Sequence, residues 1–230
     1  MINQHKKNYS LIRSFLFKQK MTFKKYSILR ILQIEELKKI SIDGDILDIG
    51  GKKTPNNVSN YIGKKVKYLD KFSKDNDDII LDLEIDLQKQ NANYSNKFDY
   101  VLLMNVLEHI YNFNNCLDIC YNLGKTKGKL IGSTPFYFRI HGSPNDFFRY
   151  TEEALNISLR KAGYKEITIF PLAGGIFISF YSNIFLITSK IPLLNNLLLP
   201  IFILLDKFLS LFTKSYKYIM PIGYFFVATK

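Results

Sequence analysis

Cysteine, proline and glycine are all scarce in this 230-residue chain, which has two cysteines, seven prolines and twelve glycines. Two cysteines are too few for a disulfide scaffold, and Cys116 and Cys120 have no histidine or cysteine partner at the spacing of a metal site. We therefore expect buried, reduced thiols, as is typical of a cytosolic protein. So little proline and glycine excludes a low-complexity chain, and we find no internal repeat.

Acidic residues are outnumbered by basic ones, which gives a formal net charge of +12. The basic excess is concentrated in residues 1–41, where Glu35 and Glu36 oppose ten Lys and Arg residues: Lys6, Lys7, Arg13, Lys18, Lys20, Lys24, Lys25, Arg30, Lys38 and Lys39. This pattern favours either an anionic partner or a solvated helix face, and both interpretations stay open. Nucleic acid is the weaker partner, because the lysines accompany no known RNA-binding motif.

The apolar residues near the N-terminus are interrupted by Arg13 and Lys18, so we do not expect this segment to be the apolar core of a signal peptide. We therefore expect a cytoplasmic protein.

Short apolar runs alternate with helical periodicity along most of the chain. Helices are predicted over 9–18, 23–40, 107–124 and 151–162, the last with Thr151 as its N-cap. Seven strands are predicted, over 45–51, 65–70, 77–83, 98–106, 128–136, 164–172 and 223–230. Strands that alternate with helices predict a Rossmann-like, doubly wound and mostly parallel sheet.

Polar residues follow five successive predicted strands. They are Asp48 with Gly50 and Gly51, then Asp70, Asp82, Asn105 with Glu108 and His109, and Thr134 with Pro135. Because ligands of such sheets bind beyond the carboxyl ends of the strands, we expect these groups to line one binding edge.

Four segments carry a family resemblance. LDIGG at 47–51 and YLD at 68–70 resemble the first and second strand motifs of class I S-adenosylmethionine (SAM)-dependent methyltransferases. FDYVLLMNVLEHI at 98–110 is similar to the fourth-strand motif of the type 11 subgroup. PFYFRIHGSPNDFFRYT at 135–151 resembles bacterial members tied to polysaccharide and lipopolysaccharide clusters. The chain departs from the family at Lys52, Lys53 and Thr54, where further glycines are expected.

The resemblance implies an antiparallel last strand, SAM as cofactor, and a hydroxyl of a sugar or lipid-linked glycan as acceptor. A carboxylate such as Asp70 can hold both ribose hydroxyls, and Gly50 and Gly51 permit close approach of the backbone. Asp48 is expected to order the loop or reach the methionine amino group. The other implied cofactor contacts are Asp82 and Leu83 at the adenine and Asn105 at the methionine tail. For any single strand-end aspartate, a helix cap is the alternative.

The segment after the fifth family strand carries candidate catalytic groups. We expect His141 to be the general base, because its ordinary pKa suits proton transfer at neutral pH. Arg149, Tyr150 and Asp146 are the candidate substrate contacts, with Arg149 gripping a carboxylate or phosphate. The alternative is a structural lid in which His141 and Arg149 are hydrogen-bonded internally and Asp146 acts as a cap. No metal site is predicted.

Residues 174–215 are strongly apolar. The uncharged stretches 176–189 and 191–205 are shorter than the roughly 20 residues of a spanning helix, and Pro192 and Pro200 are expected to break helical continuity. We expect a helical hairpin inserted before the last strand. Packing on the core or a second subunit, shallow insertion into a membrane surface beside the basic N-terminus, and a true span stay open. The predicted domains are thus basic helices over 1–41 and a methyltransferase domain over 42–230.

Two other functions compete with methyl transfer. A nicotinamide-dependent oxidoreductase predicts G-x-G-x-x-G after the first strand, which GGKKTPN at 50–56 does not provide. A non-catalytic, membrane-associated partner that keeps the fold is the other. Oligomeric state is not predicted.

Overall fold

A computed structural model describes most of the chain. The described residues are 17–22, 24, 26–51, 54, 57–90, 94–142, 144–213 and 215–230. The predicted helix over 9–18 lies mostly outside them, and residues 17–22 are helical. The chain forms two compact units: one comprises the described part of 1–41 with 135–139 and 171–224, and the other comprises 42–134, 140–170 and 225–230. The predicted domain boundaries stay a prediction.

A six-stranded sheet organises the fold. Its strands are β1 (Ile46–Ile49), β2 (Lys67–Leu69), β3 (Phe98–Met104), β4 (Gly124–Pro135), β5 (Glu166–Gly174) and β6 (Pro221–Thr229), in the order β2-β1-β3-β4-β6-β5. β1 runs parallel to β2 and β3, and β3 runs parallel to β4. β6 runs antiparallel to β4, because Lys230 N bonds Gly128 O at one end and Phe136 N bonds Ile222 O at the other. The Rossmann-like, mostly parallel sheet with an antiparallel last strand is confirmed.

The prediction of a seventh strand over 77–83 is wrong. Within it, Ile79 makes one bridge, to Leu69, and its apolar side chain is buried. Beyond Ile79, the backbone of Asp82 is hydrogen-bonded to a side chain and not to a strand. Gln90 Oε1 accepts from Asp82 N at 2.7 Å, and Gln90 Nε2 donates to Asp82 O at 2.8 Å. Within 77–83 the run therefore pairs with the sheet at Ile79 alone, and the neighbouring Ile80 is 61% exposed.

Helices precede β1 and alternate with later strands along the chain: α1 (Ile28–Lys39), α2 (Phe113–Leu123) and α3 (Glu152–Lys161). Thr151 caps α3 as predicted, with its hydroxyl accepting from Ala154 N at 3.2 Å. The helix predicted over 107–124 begins late, because the Glu84 carboxylate accepts from Tyr111 N and Asn112 N and holds them outside a helix. A short 3-10 turn, Leu107–His109, stands in its place.

The core lies around the central strands. All four residues of β1 are buried, and Leu69 of β2, Leu102 of β3 and Ile131 of β4 are at most 1% exposed. Burial on both faces of parallel strands explains why these runs are mostly apolar. Cys116 and Cys120 of α2 are buried, and they do not form a disulfide.

The apolar segment forms two helices, α4 (Ile176–Thr188) and α5 (Pro192–Ser210), followed by the short α6 (Tyr216–Ile219). Pro192 is the first residue of α5, but the predicted break at Pro200 is wrong, since the helix runs through it. By length and composition α5 could cross a membrane, but one helix of this kind is weak evidence for a membrane-spanning segment. Its 19 residues exceed the uncharged stretch because Asp206 and Lys207 belong to the helix.

Asp206 is a buried carboxyl residue whose side chain joins the helices of this segment. Its carboxylate accepts from Phe177 N and Ile178 N, at 3.0 and 2.7 Å, and from the hydroxyl of Tyr216 at 2.7 Å. Free amides at a helix start and the helix dipole both favour an anion there. Asp206 thus stabilises the beginning of α4.

Candidate active site

The ends of β1 and β2 place the first predicted cofactor residues side by side. Asp48 pairs in register with Tyr68, and Gly50 N donates to Leu69 O at 2.8 Å. Asp70 follows directly as β2 ends. The parallel pairing therefore brings the LDIGG and YLD motifs together, as their strand assignment predicts.

Asp48 is a buried carboxylate, 2% exposed. Burial raises its pKa from 3.8 to about 6, and hydrogen bonding partly opposes this effect. Asn57 Nδ2 donates to Asp48 Oδ2 at 2.9 Å. The carboxylate is thus fixed within the turn by a protein partner.

Gly50 is required by space as well as by backbone conformation, and Gly51 is required by space. Gly50 has a φ of +69°, and a Cβ there would lie 2.7 Å from Val106 Cγ2. A Cβ on Gly51 would lie 2.1 Å from Asp48 Oδ2. The two glycines therefore let the chain turn tightly over the Asp48 carboxylate. Lys52 and Lys53 lie outside the described residues.

Asp70 and Asp82 each order the turn that follows them. Asp70 Oδ1 accepts from Phe72 N at 2.8 Å, and Asp82 Oδ1 accepts from Glu84 N at 2.9 Å. Lys71 Nζ lies 3.3 Å from Asp82 Oδ2, and Leu83 is buried. Because 77–83 is not a strand, Asp82 does not end one. The roles of Asp70, Asp82 and Leu83 toward a cofactor stay predictions.

Asn105 ends β3 in the left-handed conformation, with a φ of +55°. Its backbone N donates to Ser133 O of β4 at 2.8 Å, and the next residue, Val106, contacts Gly50. This turn therefore lies beside the turn after β1, and the predicted contact of Asn105 with a methionine tail stays a prediction.

Glu108 is the second buried carboxylate of this edge, and it is completely inaccessible to solvent. Among the described residues neither of its oxygens has a hydrogen-bond partner. Burial raises its pKa from 4.5 to about 8. His109 Nε2 and His141 Nε2 lie 3.6 and 3.7 Å from Glu108 Oε1.

His141, Asp146 and Arg149 form a chain of contacts. His141 Nδ1 lies 3.3 Å from Asp146 Oδ2, and its backbone N donates to the same oxygen at 2.9 Å. Arg149 binds both oxygens of Asp146, with Nη2 to Oδ2 at 2.7 Å, and holds the pKa of that carboxyl at about 2. Internal hydrogen bonding of His141 and Arg149 is what the lid alternative expects, but Asp146 pairs with Arg149 and does not cap a helix. The predicted substrate contacts of Asp146 and Arg149 stay predictions.

Tyr150 is 5% exposed and packs against Phe113 and Phe148. Its hydroxyl donates to Leu107 O at 3.2 Å. The ring would have to move to touch a substrate, and that predicted contact also stays a prediction.

The grouping of Glu108 with His109 and His141 was missed by reasoning from sequence. Glu108 and His109 were recognised only as part of the strand-end motif, and His141 only as a base. One ligand atom from each lies within 4.8 Å of the others. The signal was a Glu-His pair after one strand with a lone histidine after the next, where parallel strands end together.

Comparisons with known proteins identify the fold. No family model and no curated protein matches the chain. A SAM-dependent methyltransferase from Archaeoglobus fulgidus is 13% identical with a TM-score of 0.54, over 97% of this chain and 100% of that one. Phosphoethanolamine N-methyltransferase 2 from Haemonchus contortus, in complex with SAM, is 16% identical with a TM-score of 0.55, over 97% of this chain and 58% of that one. The [4+2]-cyclase SpnF is 13% identical with a TM-score of 0.54, over 87% of this chain and 80% of that one. The chain has the Rossmann-like fold of class I SAM-dependent methyltransferases.

Proposed function

We propose that this protein is a SAM-dependent methyltransferase. The observation that carries the proposal is the joint placement of Asp48, Gly50, Gly51 and Asp70 where β1 and β2 end side by side. The fold supports it, and the match extends to a methyltransferase with SAM bound.

The residues at this edge fit the chemical groups of SAM. Two glycines keep side chains away from the turn, and a Cβ on Gly51 would meet the Asp48 carboxylate. In the proposal Asp70 accepts from the ribose hydroxyls, Asp48 and Asn105 hold the amino-acid tail, and Asp82 with Leu83 borders the adenine. When bound, SAM supplies a methyl group on an activated sulfonium.

The proposed acceptor is a hydroxyl of a sugar or lipid-linked glycan in bacterial cell-envelope polysaccharide biosynthesis. The resemblance of residues 135–151 to proteins of such clusters supports this. In protein without a bound metal ion, the imidazole of His141 takes the proton of the acceptor hydroxyl. Asp146 orients this ring, because its Oδ2 lies 3.3 Å from His141 Nδ1. Arg149 and Tyr150 complete the proposed substrate side, which requires Arg149 to exchange part of its pairing with Asp146.

We also propose that the protein contacts the inner face of the cell membrane peripherally. The support is a set of large apolar side chains that α4, α5 and the following turn leave exposed: Ile187, Leu193, Leu197, Leu204, Phe208, Leu211 and Phe212. The basic residues of 1–41 would add attraction to anionic lipid. Co-sedimentation with anionic liposomes at low salt, lost in high salt, is the expected result; no co-sedimentation would rule this contact out.

A non-catalytic role is the second candidate. It is favoured by the replacement of family glycines with Lys52 and Lys53. Fold alone does not determine activity.

Incubation with methyl-labelled SAM and a cell-envelope extract tests the main proposal. We expect label in a lipid or glycan fraction, with at least about tenfold less for Asp70→Ala, because hydrogen bonds to a charged group contribute about 1.5–3 kcal/mol. SAM binding without labelling of any fraction would favour the non-catalytic role.

A further inference from the structure

We propose that Glu108, His109 and His141 form a binding site for one divalent transition-metal ion of the Zn²⁺ or Fe²⁺ type. The inference concerns metal binding by the protein alone and does not depend on the proposed methyl transfer. The three residues come from the turn after β3 and the segment after β4, two neighbouring parallel strands.

The first argument is the state of Glu108. Its carboxylate is fully buried, and neither oxygen has a hydrogen-bond partner among the described residues. A buried polar group without a partner is destabilising, so such groups in native proteins usually have a bound water or ion. Glu108 Oε1 faces the two imidazole rings, which places the missing partner between them.

The second argument is the orientation of the rings. His109 Nδ1 hydrogen-bonds Asn145 O, and a carbonyl only accepts, so the proton of a neutral His109 ring is on Nδ1. Its Nε2 then presents a lone pair, 3.6 Å from Glu108 Oε1. His141 Nε2 lies 3.7 Å from the same oxygen, while its Nδ1 faces Asp146. Metal-binding histidines usually hold their other nitrogen in this way, against a carbonyl or carboxylate.

The third argument is distance. Ligands about 2.1 Å from a tetrahedral ion lie about 3.4 Å apart, close to both nitrogen-to-oxygen separations. Two imidazoles and a carboxylate suit zinc or iron, whereas Mg²⁺ and Ca²⁺ prefer oxygen ligands. Three protein ligands leave a coordination position open for an oxygen atom of water or of an acceptor, as in catalytic metal sites.

The outer contacts are also present. Arg149 binds both oxygens of Asp146, and Asp146 in turn faces His141 Nδ1, so the imidazole is held from behind. With an ion bound, His141 is a ligand and no longer a base, and a hydroxyl on the open position would be acidified by the ion.

Metal titration of the tag-free, chelator-stripped full-length protein tests the proposal. Zn²⁺ affinity is measured in competition with a chromophoric chelator, and Co²⁺ spectra report the ligand type. We expect one ion per chain, and an affinity at least about 100-fold weaker in Glu108→Gln, His109→Ala and His141→Ala, since loss of outer partners alone costs about 10–100-fold. His5→Ala, which replaces the one histidine outside the cluster, is the matched control and should bind like the parent.

Three results would overturn the proposal: no stoichiometric ion, unchanged affinity in the cluster variants, or a thiolate-to-cobalt band that places the ion on Cys116 and Cys120. Circular dichroism checks that each variant folds. If Glu108→Gln does not fold, His141→Ala carries the test, because the His141 side chain is 30% exposed and tolerates truncation more readily.

Discussion

The turns after β1 and β3 each have a buried carboxylate, and the two carboxylates differ in their hydrogen bonding. Asp48 accepts a hydrogen bond from Asn57, whereas Glu108 has no hydrogen-bond partner among the described residues. Burial raises the pKa of both groups, to about 6 for Asp48 and about 8 for Glu108. One turn is complete within the protein and can present a rigid surface to a cofactor. In the proposal, the other is completed by the bound metal ion.

Substitution of Gly50 should have the largest effect, because it disturbs the contact between the two turns. Gly50→Ala combines left-handed strain with overlap on Val106 Cγ2, and we expect a loss of about 2–4 kcal/mol in the free energy of unfolding. Gly63→Ala is the matched control, since Gly63 has a φ of +72° with no atom within 4 Å of its Cβ position, and it should lose only about 1 kcal/mol. Urea denaturation measures both. Equal losses would show that the packing of the turns contributes nothing.

Asp48→Asn should change the pH dependence of stability. The folded pKa of about 6 lies above the ordinary 3.8, so the folded protein holds this proton more tightly than the unfolded chain does. The contribution of Asp48 to the free energy of unfolding should therefore be highest below about pH 4 and fall by up to about 3 kcal/mol as the pH rises through about 6. The difference between the parent and Asp48→Asn, measured from pH 4 to pH 7, isolates this contribution. A constant difference across that range would contradict the burial argument.

Asp70→Asn should weaken SAM binding by about tenfold or more, because a neutral acceptor forms weaker bonds to ribose hydroxyls than a carboxylate does. The fold should be unaffected, since an asparagine oxygen can still accept from Phe72 N. Asp75→Asn is the control, because Asp75 makes the same kind of turn, with Oδ1 accepting from Asp77 N at 3.0 Å. Calorimetric titration with SAM separates them, and equal affinities would remove Asp70 from the site.

Asp146→Asn should have the smallest effect, and it should affect only the proposed metal site beside the turn after β3. The asparagine oxygen can still face His141 Nδ1 but pairs less well with Arg149, so we expect Zn²⁺ affinity to fall by about tenfold. SAM affinity should not change. A loss of SAM binding with unchanged Zn²⁺ affinity would reverse the assignment of the two turns.

The sequence predicted the sheet well because its central strands are buried on both faces. The runs that form β1 and β3 are mostly apolar and are followed by polar residues, which is the pattern of parallel strands. The segment 77–83 has the same pattern but does not form a strand. The backbone of Asp82 pairs with the side chain of Gln90 instead, and apolar periodicity cannot predict that contact. The late start of α2 likewise depends on Glu84, which is remote in sequence from the turn it holds.

The candidate site was predictable in its strand-end residues and not in its side-chain partners. Asp48 and Asp70 were placed by the strands they follow. The pairing of Asp146 with Arg149, and the facing of Glu108 by His141, depend on how the segment after β4 folds back on the turn after β3. Residues separated by a helix and a strand have no common period that would reveal such contacts.

Calorimetric titration of the metal-stripped protein with SAM, with NADH in a parallel cell, tests the central claim most directly. The account predicts one SAM site per chain, no heat from NADH, and a SAM affinity that survives in His141→Ala but falls in Asp70→Asn. Absence of SAM binding, or binding of NADH in its place, would contradict it.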